Sequence, residues 1–310
     1  MISLTYHTST GMMATLRAIE DVRRDILLTP LSPKQELKLR FETTLSRLFH
    51  LALLEGLPIA KGDVTKLLMH PMGTEKKKRE QSLIAYRHCL DMIYTEWLVN
   101  KNTVTPGTVD MLMTIAKTDE PNITRVEIKQ FLNYLQVKQD NPVIQAGLAG
   151  LYAWATPLCQ KKRDRITMLF FHLFLAKQGL DVRGFLELEE LWRKNKETIQ
   201  RIIALSLTKQ DATIWLEHFA ELLLHHLEVI REHIKTDRPT SVPATFFNLN
   251  ERQQQVLSLL ENPEEKISNR QVQRLFHISQ ITSSRDLSKL VSVGLVFSHG
   301  KGRSVYYTRV

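Results

Sequence analysis

From Asn248 to Tyr307 the chain reads NLNERQQQVLSLLENPEEKISNRQVQRLFHISQITSSRDLSKLVSVGLVFSHGKGRSVYY, and its cap residues divide it into elements. Asn250 stands just before an amphipathic run with Val256, Leu257, Leu259 and Leu260 as apolar positions, so residues 250–262 read as a helix. Ser268 caps a short second helix, Asn269–Phe276. After a tight link at His277–Ile278, Ser279 begins a third helix running to about Val293, and Gly294 stops it as a C-cap would. Leu295–Ser298 and Val305–Thr308 alternate on either side of Gly300-Lys301-Gly302-Arg303, which reads as a β-hairpin.

Helix, helix, short turn, helix and basic hairpin is the order of a winged helix-turn-helix. The third helix would enter a DNA major groove with Gln280, Thr282, Ser283 and Ser284 leading and Arg285 following. The hairpin tip offers Lys301 and Arg303 to phosphates or the minor groove. Residues 246–310 hold nine Lys/Arg against five Asp/Glu, nearly half of the whole chain's surplus. Two plainer readings stand beside this one. Arg285 and Asp286 can form a structural pair, and winged helices also dock proteins.

The remaining sequence is helical almost throughout. In 310 residues there are only 12 Gly and 11 Pro, and 43% of residues are hydrophobic, enough for a substantial core. Met13, Leu16, Ile19 and Ile26 open a helical stripe; Leu37, Phe41, Leu45, Leu48 and Ala52 continue it on a second helix. Ile144, Leu148, Leu151, Tyr152 and Ala155 form another, and Ile166, Leu169, Phe170, Leu173 and Phe174 repeat its geometry. Trp215, Phe219, Leu222, Leu223, Leu227 and Ile230 line the last long helix, with His225, His226 and His233 read as solvent-facing. All these stripes read as core. TDRPTSVP (236–243) reads as a linker, so the expected organisation is a helical body over 1–235, a linker at 236–245 and the small module at 246–310. The fold class is mainly α, a helical bundle followed by a small α/β module.

A net charge of +9 favours a polyanionic partner such as DNA. Two cysteines, Cys89 and Cys159, exclude a disulfide framework or a cysteine-rich zinc module. No apolar run approaches the roughly 20 residues of a membrane span, and no secretory leader opens the chain, which makes the cytoplasm the default location. There is no GxxxxGK, GxSxG or HExxH, and no metal site is expected.

NPVIQAGLAGLYAWATPL (Asn141–Leu158), ITMLFFHLFLAKQGLDVRGFLELEELW (Ile166–Trp192) and the later DATIWLEHFAELL resemble the Fic-domain family, in the family's order. Many bacterial Fic proteins also carry a C-terminal winged helix. LLEGLPIAKGDVTKLL (Leu53–Leu68) is similar to the family's inhibitory region, with Glu55-Gly56 as its remnant, although Leu51 stands where the family has Ser or Thr. The resemblance implies transfer of AMP from ATP to a protein hydroxyl, through the signature HPFx(D/E)GNGR. In that signature histidine is the base, the acid holds Mg, the glycine-rich loop cradles phosphates and arginine grips them.

Here the matching stretch runs from Thr156 to Arg165 and departs from the signature. Thr156 replaces the base, and its hydroxyl cannot accept a proton at neutral pH. Pro157 is kept, Leu158 replaces Phe, Gln160 replaces the acid, and no glycine remains. Arg163 or Arg165 matches the phosphate-gripping arginine, and Lys161, Lys162, Arg163 and Arg165 form a candidate anion or nucleotide site. His172 lies within an apolar helix and cannot stand in for Thr156. The flap expected before the signature has only about Thr118–Arg125 to form it, too few residues for a hairpin.

The expected function is thus a Fic protein with a degenerate loop that lacks AMP transfer and regulates through DNA, as a homodimer whose body dimerises or senses an effector. Glu55 would pair with Arg163 or Arg165, and ATP with Mg would enter only with retained nucleotide binding. The alternatives are residual or altered protein adenylyltransferase activity (AMPylation) on a protein target, and a protein-interaction platform.

Overall fold

Fourteen α-helices and one three-stranded sheet account for the ordered elements of a computed structural model that describes residues 4–69, 78–116, 124–137, 141–156, 162–180, 182–236, 244–260, 265–300 and 304–309. The helices are α1 (Thr10–Leu28), α2 (Pro33–Leu54), α3 (Lys61–Met69), α4 (Lys78–Glu96), α5 (Pro106–Ile115), α6 (Arg125–Val137), α7 (Pro142–Ala155), α8 (Arg163–Lys177), α9 (Leu188–Lys194), α10 (Lys196–Lys209) and α11 (Thr213–Lys235). A 3-10 turn at Ala244–Phe247 precedes α12 (Glu251–Ser258), β1 (Ile267–Ser268), α13 (Asn269–Phe276), α14 (Gln280–Ser292), β2 (Val296–His299) and β3 (Tyr306–Arg309). The chain divides into two compact units. One comprises Met1–Pro30, Ser46–Ile59 and Gln81–Arg238; the other comprises Leu31–Leu45, Ala60–Glu80 and Pro239–Val310.

At the centre of the first unit lie α7 and α8. Every residue of α7 from Val143 to Ala153 is buried, as is every residue of α8 from Arg165 to Ala176. A helix apolar on nearly every side, as α7 is, belongs inside a protein rather than on its face. Glycines on α7 let two neighbours close in: a Cβ on Gly150 would sit 2.0 Å from Phe171 Cε1 of α8, and one on Gly147 2.8 Å from Leu216 Cδ2 of α11. Phe171 in turn stacks on Phe219 of α11 at 4.8 Å. Trp215 Nε1 donates to the Gly147 carbonyl (2.8 Å), satisfying the indole inside this core. α1 lies along α11. On α1 it is Met12 that is buried, whereas Met13, expected in the core, is exposed one position off the stripe.

The second unit builds its core from Val256, Leu260, Ile267, Val272, Leu287, Leu290, Val296 and Tyr307. Its helix starts follow from local capping. Asn250 accepts from the Gln253 N–H and Ser268 from the Gln271 N–H, each in a reciprocal capping box, and Ser279 accepts from the Thr282 N–H. His277 takes φ 49° to end α13, and Gly294 takes φ +75° after α14. The sheet order is β1-β3-β2, antiparallel throughout, with Ile267 opposite Tyr307 and Val296 opposite Arg309. Both hairpin strands begin one residue later than alternation placed them, while β1 is an addition, two residues long and visible only through its partner. Phe41 of α2 packs edge-on against Phe246 (5.4 Å) and Phe247 (5.8 Å), and α3 packs on α14, so the N-terminal segments belong to this unit's architecture.

Candidate functional site

Two regions collect the candidate residues, and each lies within one unit. In the first unit the signature stretch begins at the end of α7. Thr156 is buried and its Oγ1 donates to the Tyr152 carbonyl at 2.6 Å, a C-terminal tether rather than a poised reacting group. Pro157, Leu158, Cys159, Gln160 and Lys161 lie outside the described residues, as do 118–123 of the stretch Thr118–Arg125 expected to be too short for a flap. The first turn of α8 then sends its charged side chains to different places. Lys162 is half-buried and Arg163 is exposed, its guanidinium 5.1 Å over the Trp154 ring. Asp164 accepts from Trp192 Nε1 (2.8 Å) and Lys196 Nζ (2.9 Å).

Arg165 points inward and is 0% exposed. Its Nε donates to Glu55 Oε1 at 2.6 Å and its Nη2 to Glu55 Oε2 at 2.8 Å, a two-pronged pair. Its Nη1 donates to the carbonyls of Ser82 (3.0 Å) and Ala116 (2.9 Å). Of the two arginines the sequence left open as partners of Glu55, Arg165 makes the contact. Gly56, at φ +65°, ends α2 directly behind it, so the Glu-Gly pair both closes the helix and aims the carboxylate. Within the expected basic cluster the two arginines part, Arg165 sealed inside and Arg163 facing out, while Lys161 lies outside the described residues.

Behind Arg165 runs a buried polar network with little trace in the sequence. The Arg165 guanidinium lies 5.7 Å from the Tyr86 ring centroid, and the Tyr86 hydroxyl donates to Glu189 Oε1. His172 Nε2 lies 3.0 Å from the same oxygen. His172 Nδ1 is 2.8 Å from the Tyr94 hydroxyl, which accepts from Arg47 Nη2 at 3.2 Å. Burial alone would raise the Glu189 pKa, but His172, Arg47 and Tyr86 hold it down to about 2. The same burial and the Glu189 charge push the Tyr86 phenol well above its usual value. The only sequence signal for this network is a histidine set between Phe171 and Leu173 in an apolar helix.

A neighbouring set links Ser46, which donates to Glu187 Oε2 (2.6 Å), with His226 Nε2, which accepts from the Glu187 N–H (2.8 Å). The solvent-facing reading therefore fails for His226: burial depresses its pKa to about 4, and its imidazole works as an acceptor. Among the described residues no group of three His, Cys, Asp or Glu side chains could hold a metal ion. Of the stretch to which the family resemblance assigns Mg·ATP, only Thr156 and 162–165 are among the described residues. Thr156 offers no base, and the donors of Arg165 are spent on Glu55, Ser82 and Ala116. No helix among the described residues is long and apolar enough to cross a membrane.

In the second unit α13 and α14 carry the other candidates. Gln280 and Arg285 are exposed. Thr282 is half-buried beside the cap, its Oγ1 3.0 Å from Ser279 Oγ, and Ser284 Oγ accepts from Asn269 Nδ2 at 2.8 Å. Ser283 is corrected: it is fully buried, its hydroxyl donates to the Asn269 carbonyl (3.1 Å), and it holds α14 against α13 instead of facing outward. The structural pairing considered for Arg285 and Asp286 also resolves. Asp286 is buried and takes Arg252 Nε (2.5 Å) and Gln253 Nε2 (2.9 Å), which leaves Arg285 to solvent. Lys301 and Arg303 lie outside the described residues. The exposed positions of the two helices include Arg270, Arg274 and Arg285, and their one carboxylate, Asp286, is buried. Among the described residues none of the three arginines takes part in an ion pair.

No protein-family model matches the sequence, and no curated protein matches it. Solved structures do. A Fic family protein from Desulfovibrio desulfuricans G20 superposes with a TM-score of 0.57 over 98% of this chain and 97% of its own, at 11% identity. A Fic domain containing signaling protein from Bacteroides thetaiotaomicron VPI-5482 gives 0.56 over 73% of this chain and 100% of its own, at 16% identity. Fic-1 from C. elegans gives 0.53 over 72% of this chain and 71% of its own, at 13% identity. At such identities the agreement is one of backbone. The chain has the fold of the Fic family proteins.

Proposed function

We propose that the chain is a Fic protein that no longer transfers AMP and acts as a DNA-binding regulator, with residues 246–310 as a winged helix-turn-helix, 236–245 as its linker, and a homodimer reading two half-sites. The observation that carries this reading is the outward face of α13 and α14, which presents Arg270, Arg274 and Arg285 with no exposed carboxylate. Such a face suits a phosphate backbone, and short polar side chains around Arg285 let a helix approach base edges. On this reading Gln280 and Arg285 read sequence, Thr282 sits at the groove entrance, and Lys301 and Arg303 engage phosphates. The experiment is selection of sheared genomic DNA by the purified full chain at physiological salt, followed by affinity against salt. Enrichment of a few sites, inverted repeats among them, with binding that weakens steeply as salt rises, is the expected result. A flat profile with no affinity at low salt refutes it.

A second reading, residual adenylyl transfer, draws on the Glu55–Arg165 pair, since in an active relative an inhibitory glutamate would hold a signature arginine in this way. Labelled ATP incubated with the wild-type chain and with Glu55→Gly separates the two. We expect no incorporation in either, because Thr156 is no base; label appearing only in Glu55→Gly would restore an enzyme held in check.

A further inference from the structure

The outward face of α14 holds one feature that DNA binding through charge leaves unexplained. Ile281, in the first turn, is 65% exposed, a β-branched apolar side chain held in water beside exposed Gln280. The buried face of α14 is Ser283, Asp286, Leu287, Leu290 and Ser292, so Ile281 is not a core residue caught at the edge of the stripe. One turn on, at i+4, stands Arg285, and at i+7 Ser288, so Ile281 shares its ridge with the arginine and a short hydroxyl. Exposed apolar side chains also mark protein-docking faces. The exposed charges of α13 and α14 themselves, however, are Arg270, Arg274 and Arg285 without an acid, which favours a polyanion as the occupant.

On the floor of a DNA major groove the one methyl group is that on C5 of thymine; the other features that distinguish the base pairs there are hydrogen-bond donors and acceptors. We propose that Ile281 is a specificity-determining residue that packs on a thymine methyl in the bound sequence, next to the base edge reached by Arg285. The inference rests on the DNA-binding reading above and deepens it. Arg285 supplies polar discrimination, and Ile281 supplies a preference that depends on a single methyl group. An exposed isoleucine can be shortened without disturbing the unit, because its side chain is not part of the core.

The test uses the full-length protein and a duplex taken from random-pool selection. Each thymine of the selected site is replaced in turn by deoxyuridine, which removes the methyl and leaves pairing and every donor and acceptor in place. Wild type should lose about fourfold in affinity at one position, the factor expected for one methyl-sized apolar contact. Ile281→Ala, with unchanged circular dichroism, should bind the thymine and deoxyuridine duplexes equally. No affinity loss at any thymine, or the same loss in Ile281→Ala, overturns the contact while leaving DNA binding standing. A full chain that selects no sequence and binds no duplex even at about 50 mM salt overturns the DNA reading itself, and the contact with it.

Discussion

Removing Glu55 should damage the first unit far more than its position at a helix end suggests. The Arg165 side chain is 0% exposed and that of Glu55 10%, and four N–H···O bonds fix the guanidinium, two of them to this carboxylate. Glu55→Ala leaves a buried cation with two unsatisfied donors and no counter-charge, a change that costs about 3–5 kcal/mol. Glu55→Gln should cost nearly as much, because one acceptor oxygen becomes an NH2 facing an N–H. For a unit of this size each kcal/mol lowers the midpoint by about 2–4 °C, so a shift of roughly 6–20 °C is expected. All four tryptophans, Trp97, Trp154, Trp192 and Trp215, lie in the unit that holds the pair, so tryptophan fluorescence in urea or heat reads that unit selectively. The double change Glu55→Leu with Arg165→Met replaces the pair by apolar side chains and should recover most of the loss, since a buried ion pair gains little over well-packed hydrophobes. A Glu55→Ala midpoint within about 2 °C of wild type, or a double variant no better than the single ones, would refute the reasoning.

Three further outcomes follow from the packing and the titrating groups. Gly150→Ala would drive a methyl into the Phe171 ring, which is stacked on Phe219 and cannot yield, so a loss of about 3 kcal/mol with altered tryptophan near-ultraviolet dichroism is expected; an unchanged melt would mean that α7 and α8 can separate freely. Burial holds His226 at about 4 against 6.5 when unfolded, so between those values the unfolded chain carries the proton and the folded one does not. Stability from this group is complete above pH 6.5 and is lost as pH falls to 4, on the order of 3 kcal/mol. His226→Gln keeps an acceptor for the Glu187 N–H without titrating and should remove that component; equal acid losses in both proteins would sink the assignment. Asp286→Ala strips Arg252 and Gln253 of their partner and should weaken the second unit by about 2–3 kcal/mol, whereas Arg285→Ala should leave its stability unchanged and relax sequence preference. Hydrogen exchange over α12–α14 with binding titrations distinguishes them, and equal effects of the two changes would refute the division of labour.

The helix starts at Asn250, Ser268 and Ser279 were legible because a cap is a contact across three residues, and the chain states both partners side by side. The same holds for the central helices, since a segment apolar on every side, such as 143–153, has no face to give to water. Thr156 and Gln160, on which the proposed loss of AMP transfer rests, are likewise read directly from the sequence. What sequence left open lies at long range. Glu55 and Arg165 are 110 residues apart, and nothing local prefers Arg165 over Arg163; the choice is made where α2 and α8 bring a carboxylate and a guanidinium into the same dry space. The two-residue strand β1 exists only because β3 lies beside it, and Ser283 turns inward only because the Asn269 carbonyl waits there for its hydroxyl. Local hydrogen bonds and periodicity can be read along the chain, while the pairing of buried polar groups depends on which surfaces meet. That decision belongs to the tertiary structure.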